Sequence, residues 1–411
     1  MSSSSTTEIY KSVVLEVRPR LQSVNVFITL LSNNTSVNIV LENDEIHIIE
    51  NDTISIITCK DINVVPNSLS AFRKTDNFVT FRFATNNAFE NLGGFKTELL
   101  QNTVASIESL SNKPLLIKGT SYIIHCINCN KQLSATIKFE RILPLPSDHS
   151  DPSDWFCHAH GSKDNISLDP KNVDVFYTYC YVHINRTNLL HIKTSDKVIV
   201  CKYCLSWLGI TFNKNTFRLW LNTVKFIDNN SAISTDSLSD VFHSFKDIFR
   251  HSLYNSLKLM ATCYTLSNQT DSLLIWVLEK KLQIFIDASG EGLKKYDVAK
   301  VLFRYAKNSD DAYIQWQNDP MVNAINVSKP MMLDVLKHLH KSNKILPPEF
   351  SKSSDFNVSY VFIFIITPSL EMGCESLQVS CAVWLSGSFK RQKFIKDDLA
   401  VSPSSRCALR G

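Results

Sequence analysis

The sequence has no long apolar run. Its apolar segments are short, and the six residues from Val361 to Ile366 fall far short of the roughly 18 to 20 that cross a bilayer. This segment therefore predicts a buried strand, and no membrane partner is expected. The chain begins with MSSSSTTEIYKS, which lacks the basic and apolar regions of a signal peptide, so we expect it to start in the cytosol.

Signatures of several common enzyme classes are also missing. The sequence contains no Gly-rich phosphate-binding loop, no Gly-x-Ser-x-Gly turn and no His-Glu-x-x-His motif. The formal net charge is only +4 and no basic run precedes the C-terminal tail, so direct nucleic-acid binding is not expected. In a reducing compartment, the odd number of cysteines, 11, predicts free thiols or metal ligands rather than a disulfide framework.

Alternating apolar residues dominate the beginning of the chain. From residue 12 to about 83 they recur at every second position, as Val13, Leu15 and Val17 do. This period of two is typical of strands that bury one face. Polar turn residues separate the runs at short intervals, which favours an antiparallel sandwich or barrel. We therefore predict a β-rich N-terminal domain over residues 1–113.

Helical patterns occur only beyond about residue 215. Apolar residues at helical spacing after a cap at Asp236 or Ser237 predict an amphipathic helix that continues to about Leu259. A second helix is expected to begin at Ser328-Lys-Pro330, because proline is tolerated in the first helical turn. The segment from Val298 to Ala306 has a short helical pattern.

Strands are predicted in the same region, so its pattern is mixed. Residues 273–278 and 282–286 predict a strand pair. Together with the helices they predict a mixed α+β C-terminal domain over residues 215–366 and an α+β class for the whole fold. Residues 367–411 lose clear periodicity and are expected to form a poorly ordered tail.

Two cysteine pairs of the C-x-x-C type are the strongest chemical signal. Cys126 and Cys129 form the first pair and Cys201 and Cys204 the second, with 71 residues between the pairs. Each pair can place two thiolates within reach of one tetrahedral ion, and thiolates favour zinc. We therefore predict a structural zinc clasp that closes the base of a long insertion over residues 114–214. The alternative is that one pair consists of buried thiols.

A further cysteine lies inside this insertion. Its surroundings read Trp155-Phe156-Cys157-His158-Ala159-His160. Polar loop residues flank the segment, which predicts an exposed turn anchored by Trp155. Cys157 could be an inert core thiol, a nucleophile with a nearby histidine as base, or a metal ligand. As a ligand it would complete a site with His160 or reach a metal held by another protein.

Motifs in order along the chain resemble a known family. They are Val14–Arg18, Leu21–Ser23, Cys126–Cys129, Arg141–Ser147, Trp155–His158, Val198–Cys204 with Leu208-Gly209, and Lys341–Pro347. They extend over residues 10–365 and resemble the HECT-like ubiquitin-conjugating-enzyme-binding family. Vertebrate members of that family are described as ubiquitin-protein ligases, and its yeast relatives assist mRNA cleavage and polyadenylation.

The resemblance implies two activities. One is binding of a ubiquitin-conjugating enzyme around the second cysteine pair, roughly Val198 to Val224, with ubiquitin-ligase activity. The other is binding of the metallo-β-lactamase endonuclease that cleaves pre-mRNA 3′ ends. The family's Trp-x-Cys-His loop is described as entering that active site, where its cysteine ligates the zinc ions. By motif this cysteine is Cys157. The loop residues around it are Trp155, Phe156, His158 and His160.

The chain departs from true HECT ligases in one respect. A large bilobed domain with a late catalytic cysteine is not recognisable, and Cys374, Cys381 and Cys407 lie in the tail beyond the resemblance. A thioester cysteine is therefore unassigned, with Cys157 as the weak candidate. We expect a ligase-like protein of the cytoplasm and nucleus. The alternative is a non-enzymatic regulator or assembly factor of the endonuclease, without ubiquitin transfer.

Overall fold

Strands make up most of the structure. The computed structural model describes residues 9–33, 36–86, 115–145, 169–229, 231–252, 256–267, 269–288 and 290–362. All of these residues belong to one compact unit, Met1–Ile365. The domain boundaries predicted from the sequence stay predictions. None of the helices in the described ranges is long and apolar enough to cross a membrane.

The elements are numbered in chain order. The N-terminal strands are β1 (Tyr10–Arg18), β2 (Ser23–Leu30), β3 (Val37–Glu42), β4 (Glu45–Glu50), β5 (Thr53–Thr58), β6 (Ser70–Thr75) and β7 (Phe78–Ala84). The central strands are β8 (Ser121–Cys126), β9 (Ile137–Lys138), β10 (Arg141–Pro144), β11 (Asp174–Tyr177), β12 (Tyr181–Asn185), β13 (Ile192–Ser195), β14 (Val198–Cys201), β15 (Trp207–Thr211), β16 (Thr216–Trp220), β17 (Val224–Ile227) and β18 (Ala232–Ile233). The C-terminal strands are β19 (Leu257–Tyr264), β20 (Thr270–Asp287), β21 (Lys294–Lys307), β22 (Val322–Asn326), β23 (Lys352–Ser353) and β24 (Phe356–Val361).

Helices are few in the described residues. The α-helices are α1 (Ser237–His251), α2 (Asp311–Gln317) and α3 (Lys329–Asn343), and single 3₁₀ turns occur at Pro19–Leu21 and Arg186–Asn188. The protein is therefore mostly β-sheet, and the α+β class predicted from the sequence is not confirmed.

The largest sheet combines strands from both ends of the described chain. Eight of its ten strands follow the order β23-β24-β21-β20-β1-β2-β7-β6, and β19 is added beside β20 and β22 beside β19. The sheet curls into a half-barrel. β1 and β20 are antiparallel, with Leu15 opposite Phe285. The N-terminal strands are thus held in the sheet by strands that come much later in the sequence.

β20 changes partner along its length. Its first half pairs with β19, where Leu274 lies opposite Met260, and its second half pairs with β1. The register against β21 shifts around Glu279, and irregularities of this kind bend a strand. The strand pair predicted at 273–278 and 282–286 is therefore wrong. The charged residues between the two apolar runs lie within one strand of 18 residues.

β21 carries apolar side chains on both faces. Val301 and Phe303 pack in the core beneath α1 and α3, whereas Val298 and Leu302 pack in a second cluster on the opposite face. Because both faces are buried, polar residues do not alternate with apolar ones as they do in a half-buried strand. The short helix predicted from Val298 to Ala306 is therefore wrong.

α1 begins where the sequence predicts but ends earlier. The carboxylate of Asp236 accepts a hydrogen bond from the Ser239 N–H at 2.8 Å, which satisfies one free donor of the first turn. The helix stops at His251, and Leu259 lies in β19. The predicted C-terminal boundary is wrong because the apolar pattern continues from the helix into a buried strand.

α3 confirms the helix predicted after Ser328. The Ser328 hydroxyl accepts a hydrogen bond from the Met331 N–H at 3.1 Å, and Pro330 lies in the first turn. Met332 and Val335 are buried on the face that packs against the core shared with α1. Capping and amphipathic spacing therefore act together to place this helix.

The seven-stranded sheet lies between two apolar cores. Its strand order is β10-β11-β12-β16-β15-β14-β13. Tyr181 and Trp220 pack on one side against the core beneath α1. Val182 and Leu219 pack on the other side in a core shared with the four-stranded sheet β18-β17-β8-β9. Strands β3, β4 and β5 form a separate three-stranded sheet.

A buried charge cluster joins β1 to β21 and β24. The Glu16 side chain is fully buried, and its Oε2 accepts hydrogen bonds from Lys300 Nζ at 2.7 Å and from the Tyr360 hydroxyl at 2.6 Å. Arg18 forms an ion pair with Glu16 and another with Glu279. Burial alone would raise the pKa of Glu16, but the charges of Lys300 and Arg18 outweigh it and hold that pKa below its usual value.

Replacing Glu16 with Gln is expected to destabilise the fold. Lys300 and Arg18 would keep their positions without the carboxylate that neutralises them. Removing one partner of a buried ion pair costs about 3 to 5 kcal/mol, and we expect a loss near the lower end of this range. The free energy of unfolding in urea at pH 7 measures this loss.

The same variant should show a defined pH dependence. Because the folded-state pKa of Glu16 lies below the ordinary value of 4.5, its contribution is complete above that pH and is lost as the pH falls through the folded-state pKa. The stability difference between wild type and Glu16→Gln should therefore shrink below pH 4.5. Lys294→Ala is the control, because Lys294 pairs with Glu291 at an exposed position. An equal loss in the control, or a difference that persists in acid, contradicts this assignment.

Candidate metal centre

Each cysteine pair occupies a turn that follows a strand. β8 ends at Cys126 and β14 ends at Cys201, and we call residues 126–131 and 201–206 knuckle 1 and knuckle 2. The two strands belong to different sheets, so the knuckles approach each other from two layers. Cys126 and Cys201 are buried in the core that these sheets share, whereas Cys129 and Cys204 are half-buried.

The two knuckles have the same backbone geometry. The Asn130 N–H donates to the Cys126 carbonyl at 3.0 Å, and the Leu205 N–H donates to the Cys201 carbonyl at 3.0 Å. Asn130 and Leu205 also share a positive φ, 57° and 59°. This left-handed conformation costs a residue such as leucine roughly 1–2 kcal/mol, so the surrounding structure must impose it.

Neighbouring segments hold both knuckles in place. The Ile127 N–H donates to the Thr223 carbonyl at 3.1 Å, and the equivalent Lys202 N–H donates to the His191 carbonyl at 3.1 Å. Each turn is therefore attached to a backbone outside its own strand. The two knuckles are therefore equivalent both in their internal hydrogen bonds and in the hydrogen bonds that attach them to neighbouring segments.

Close packing between the backbones of β15 and β16 supports knuckle 2. Gly209 in β15 lies opposite Leu219 in β16, and a Cβ at Gly209 would lie 2.1 Å from the Arg218 carbonyl oxygen. A larger residue would push the two strands apart. Glycine in the Leu208-Gly209 motif is thus required by the approach of two backbones.

The four cysteine sulfurs converge on one point. Cys126 Sγ lies 3.7 Å from Cys204 Sγ, Cys129 Sγ lies 3.6 Å from Cys201 Sγ, and all four atoms lie within 4.8 Å of one another. These distances exclude disulfides, in which the sulfurs are about 2.05 Å apart. A tetrahedral zinc ion with Zn–S bonds of about 2.3 Å requires sulfurs about 3.8 Å apart. The cluster therefore has the ligand type, number and spacing of a closed metal site.

The electrostatics of the cluster also fit a cation. Burial raises the pKa of Cys126 to about 12 and raises the pKa of Cys201, although backbone N–H groups of each knuckle point at these sulfurs and oppose the shift. At Cys204 burial acts in the same direction, but hydrogen bonding with Ser206 outweighs it and the pKa is lowered to about 6. A divalent ion would supply the positive charge that four neighbouring thiolates need.

The other predicted site residues lie outside the described residues. They are Trp155, Phe156, Cys157, His158 and His160. The chain on either side of 146–168 is described and is attached to the seven-stranded sheet. The Leu145 N–H donates to the Tyr177 carbonyl at 2.8 Å, and Asp169 accepts a hydrogen bond from Thr216 Oγ1 at 2.7 Å.

Exposed apolar side chains at the knuckles were not predicted from the sequence. Ile127 in knuckle 1 is 39% exposed, and Tyr203 and Leu205 in knuckle 2 are 51% and 56% exposed. The Tyr203 ring lies 5.6 Å from the ring of His191. We call Ile127, Tyr203 and Leu205 the knuckle surface. The sequence feature that could have revealed the knuckle surface is the presence of apolar residues in turns, where polar residues are usual.

Comparison with known proteins agrees with the motif resemblance. The profile described as HECT-like ubiquitin-conjugating enzyme (E2)-binding matches residues 16–358. The chain is also similar to two proteins named as E3 ubiquitin-protein ligases, one from Bos taurus and one from Homo sapiens. Each is 22% identical to it in a match that covers 58% of this chain and 72% of the relative. No solved structure matches the chain.

The matched range contains most of the described structure, including both knuckles and the strands that carry them. The family expected from the motifs is confirmed. The chain belongs to the HECT-like ubiquitin-conjugating enzyme (E2)-binding family.

Proposed function

We propose that this protein binds a ubiquitin-conjugating enzyme and promotes ubiquitin transfer as a ligase. The observation that carries this proposal is the family match over residues 16–358, because that family is described as E2-binding. The names of the curated relatives, which are ubiquitin-protein ligases, point in the same direction. We place this activity in the cytoplasm and nucleus.

The knuckle surface is the proposed docking site for the conjugating enzyme. Tyr203 and Leu205 lie within the region around the second cysteine pair, Val198 to Val224, and Ile127 comes from the facing knuckle. Half-exposed tyrosine and leucine side chains on a rigid turn can enter an apolar pocket of a partner without losing much conformational freedom. The hydrogen bonds at the base of each knuckle supply this rigidity.

We propose direct transfer, in which none of the described cysteines carries ubiquitin. The seven cysteines in the described part of the chain are buried or half-buried, and four of them form the metal cluster. In the proposed reaction, a substrate amine attacks the thioester that joins ubiquitin to the conjugating enzyme. An amide bond forms, the carbon–sulfur bond breaks, the thiolate stays with the conjugating enzyme, and the proton of the amine passes to solvent. The ligase brings the two reactants together.

Tyr203→Ala is expected to weaken binding of the conjugating enzyme. Truncation of a central aromatic anchor in an interface typically costs at least about 2 kcal/mol, which corresponds to roughly a 30-fold weaker complex. The dissociation constant should be measured by isothermal titration calorimetry with the conjugating enzyme that binds the wild type best in a panel.

Ile56→Ala is the matched control for this experiment. Ile56 is 52% exposed but lies in β5 of the three-stranded sheet, outside the knuckles. Its removal should leave binding unchanged. Equal binding by Tyr203→Ala and wild type would refute the docking site, whereas failure of the whole panel to bind wild type would refute the proposed function.

We further propose that Cys126, Cys129, Cys201 and Cys204 hold one structural zinc ion. Metal analysis of the purified protein should find one zinc per chain, and Cys129→Ser should lose it. A ligand that binds only the folded state stabilises it by about 4 kcal/mol at 1,000 times its dissociation constant. A stability loss of about this size is expected for Cys129→Ser or after chelation, measured by urea unfolding.

Cys263→Ala separates zinc loss from simple loss of a buried thiol. Cys263 is buried in β19, and it is not part of the sulfur cluster. This variant should keep its zinc even if its core packing is weakened. Wild-type protein that is free of zinc and equally stable with or without a chelator would rule out the structural ion.

A second candidate function is capping of the pre-mRNA 3′-end endonuclease by Cys157. The support is the Trp155–His158 motif together with the attachment of Leu145 and Asp169 to the seven-stranded sheet. A thiol presented from a segment with anchored ends could reach a zinc ion of another protein, and that metal would favour its thiolate form. In this role the protein regulates or assembles the endonuclease without ubiquitin transfer.

Cys157→Ala should weaken binding to the purified endonuclease by about tenfold or more, because it removes a metal–sulfur bond. Tyr203→Ala should bind the endonuclease normally, which makes it the reciprocal control. The same Cys157→Ala protein should retain conjugating-enzyme binding. Undiminished endonuclease binding by Cys157→Ala refutes the capping role. Direct transfer would be refuted if the wild type carried a reducible ubiquitin adduct and Cys157→Ala did not.

A further inference from the structure

A cavity of about 450 Å³ lies against one face of the ten-stranded sheet. Its floor comes from β1, β2, β6 and β7, and its wall includes Leu346 and Phe350 from the segment after α3. The hydroxyl of Thr75 in β6 donates to Glu349 at 3.0 Å, which fastens this wall to the sheet. The volume is in the range of small-molecule sites, and the lining shares no residue with the metal centre or the knuckle surface.

Strand register brings two rows of side chains to the same part of the floor. In one row Glu16 lies opposite Asn25, and Asn25 lies opposite Arg82. The adjacent row contains Phe27 opposite Thr80, and Thr80 opposite Arg73. Directly opposed residues of antiparallel strands share a face, and diagonal neighbours are about 7–8 Å apart. Arg73 and Arg82 can therefore reach one group in the cavity.

The charge of the lining is strongly positive. Four cationic side chains line the cavity, Arg18, Arg73, Arg82 and Lys300, against a single carboxylate, that of Glu16. Glu16 is already paired with Lys300 and with Arg18. Among the described residues, the cationic side chains of the lining that have no ionic partner are therefore Arg73 and Arg82.

Arg82 is positioned by the buried charge cluster. Asn25 Nδ2 donates to Glu16 Oε1 at 3.2 Å, and Asn25 Oδ1 accepts a hydrogen bond from Arg82 Nε at 2.9 Å. Within the described structure the two Nη groups of Arg82 have no hydrogen-bond partner. The guanidinium is thus oriented through Nε while its paired Nη donors remain available, the arrangement that binds an oxyanion in a bidentate manner.

Arg73 lies beside a backbone irregularity. The register of β6 against β7 shifts between Ser70 and Arg73, and Ala71 within this bulge has a φ of 51°. Bulges redirect the side chains that follow them and are common beside binding sites. Among the residues that the structure describes, none forms a hydrogen bond or ion pair with the Arg73 side chain.

Most of the remaining lining is apolar. The rings of Phe27 and Phe350 pack edge to face with centroids 5.2 Å apart, and Leu302 and Leu346 continue the same surface. An inorganic ion would leave this part of the cavity in contact with water only. A ligand that joins an anionic group to an apolar body would use both parts.

We propose that this cavity binds an organic anion. A phosphate or carboxylate group is held between Arg73 and Arg82, and the apolar body of the ligand packs on Phe27 and Phe350. The same chemistry could be presented by a free small molecule or by a modified side chain of a peptide. This site is independent of the binding of a conjugating enzyme.

Calorimetric titration of the full chain with phenylphosphate tests the site. Saturable binding is expected, and Arg73→Ala should weaken it about tenfold or more, since a charge-assisted hydrogen bond is lost. Lys74→Ala is the matched control, because it removes one positive charge from the same strand while Lys74 does not line the cavity. It should change the affinity by less than about twofold. Arg73 is exposed, so its loss should leave the unfolding midpoint unchanged.

Two further titrations identify the ligand class. Inorganic phosphate should bind more weakly than phenylphosphate, and equal affinities would overturn the role of the apolar wall. If a short phosphotyrosine peptide binds as well as phenylphosphate, the natural ligand is a modified polypeptide. If only the free compound binds, the natural ligand is a small molecule. No saturable binding of phenylphosphate or peptide, or an equal loss in Arg73→Ala and Lys74→Ala, overturns the site.

Discussion

Four cysteine sulfurs meet where the four-stranded and seven-stranded sheets share a core, and the geometry of the central region depends on this contact. Cys126 and Cys201 are buried at the ends of β8 and β14, so the sulfurs join two layers as well as two turns. The same turns expose Tyr203 and Leu205 to solvent. An ion bound by the sulfurs would therefore stabilise the layer contact and fix the direction of the exposed side chains at once.

The buried carboxylate of Glu16 has a comparable role in the ten-stranded sheet. It receives donors from β21 and β24 and, through Asn25, it also orients Arg82 at the cavity. Structural and ligand-binding groups thus belong to one hydrogen-bond network. This network links the proposed anion site to the pairing of N-terminal with C-terminal strands.

Local signals predicted a large part of the fold. Alternation located strands in the N-terminal region, capping residues located the starts of α1 and α3, and spacing identified both cysteine knuckles. The failures have a common cause. The run from Val298 to Ala306 resembles a helix because β21 is buried on both faces, and the helix at Asp236 was predicted to be longer because a buried strand follows it. Hydrophobic periodicity cannot separate such cases without knowledge of which surfaces are covered.

Short stretches of sequence are sufficient to specify the knuckle turns and the helix caps, because each depends on residues that are close along the chain. They do not specify that β20 pairs with β19 and then with β1, or that Glu16 neutralises Lys300 while Arg73 has no ionic partner among the described residues. These features required the folded chain. Their energies come from burial and from charge and strand pairing between residues far apart in sequence, and those contacts exist only after the sheets have assembled.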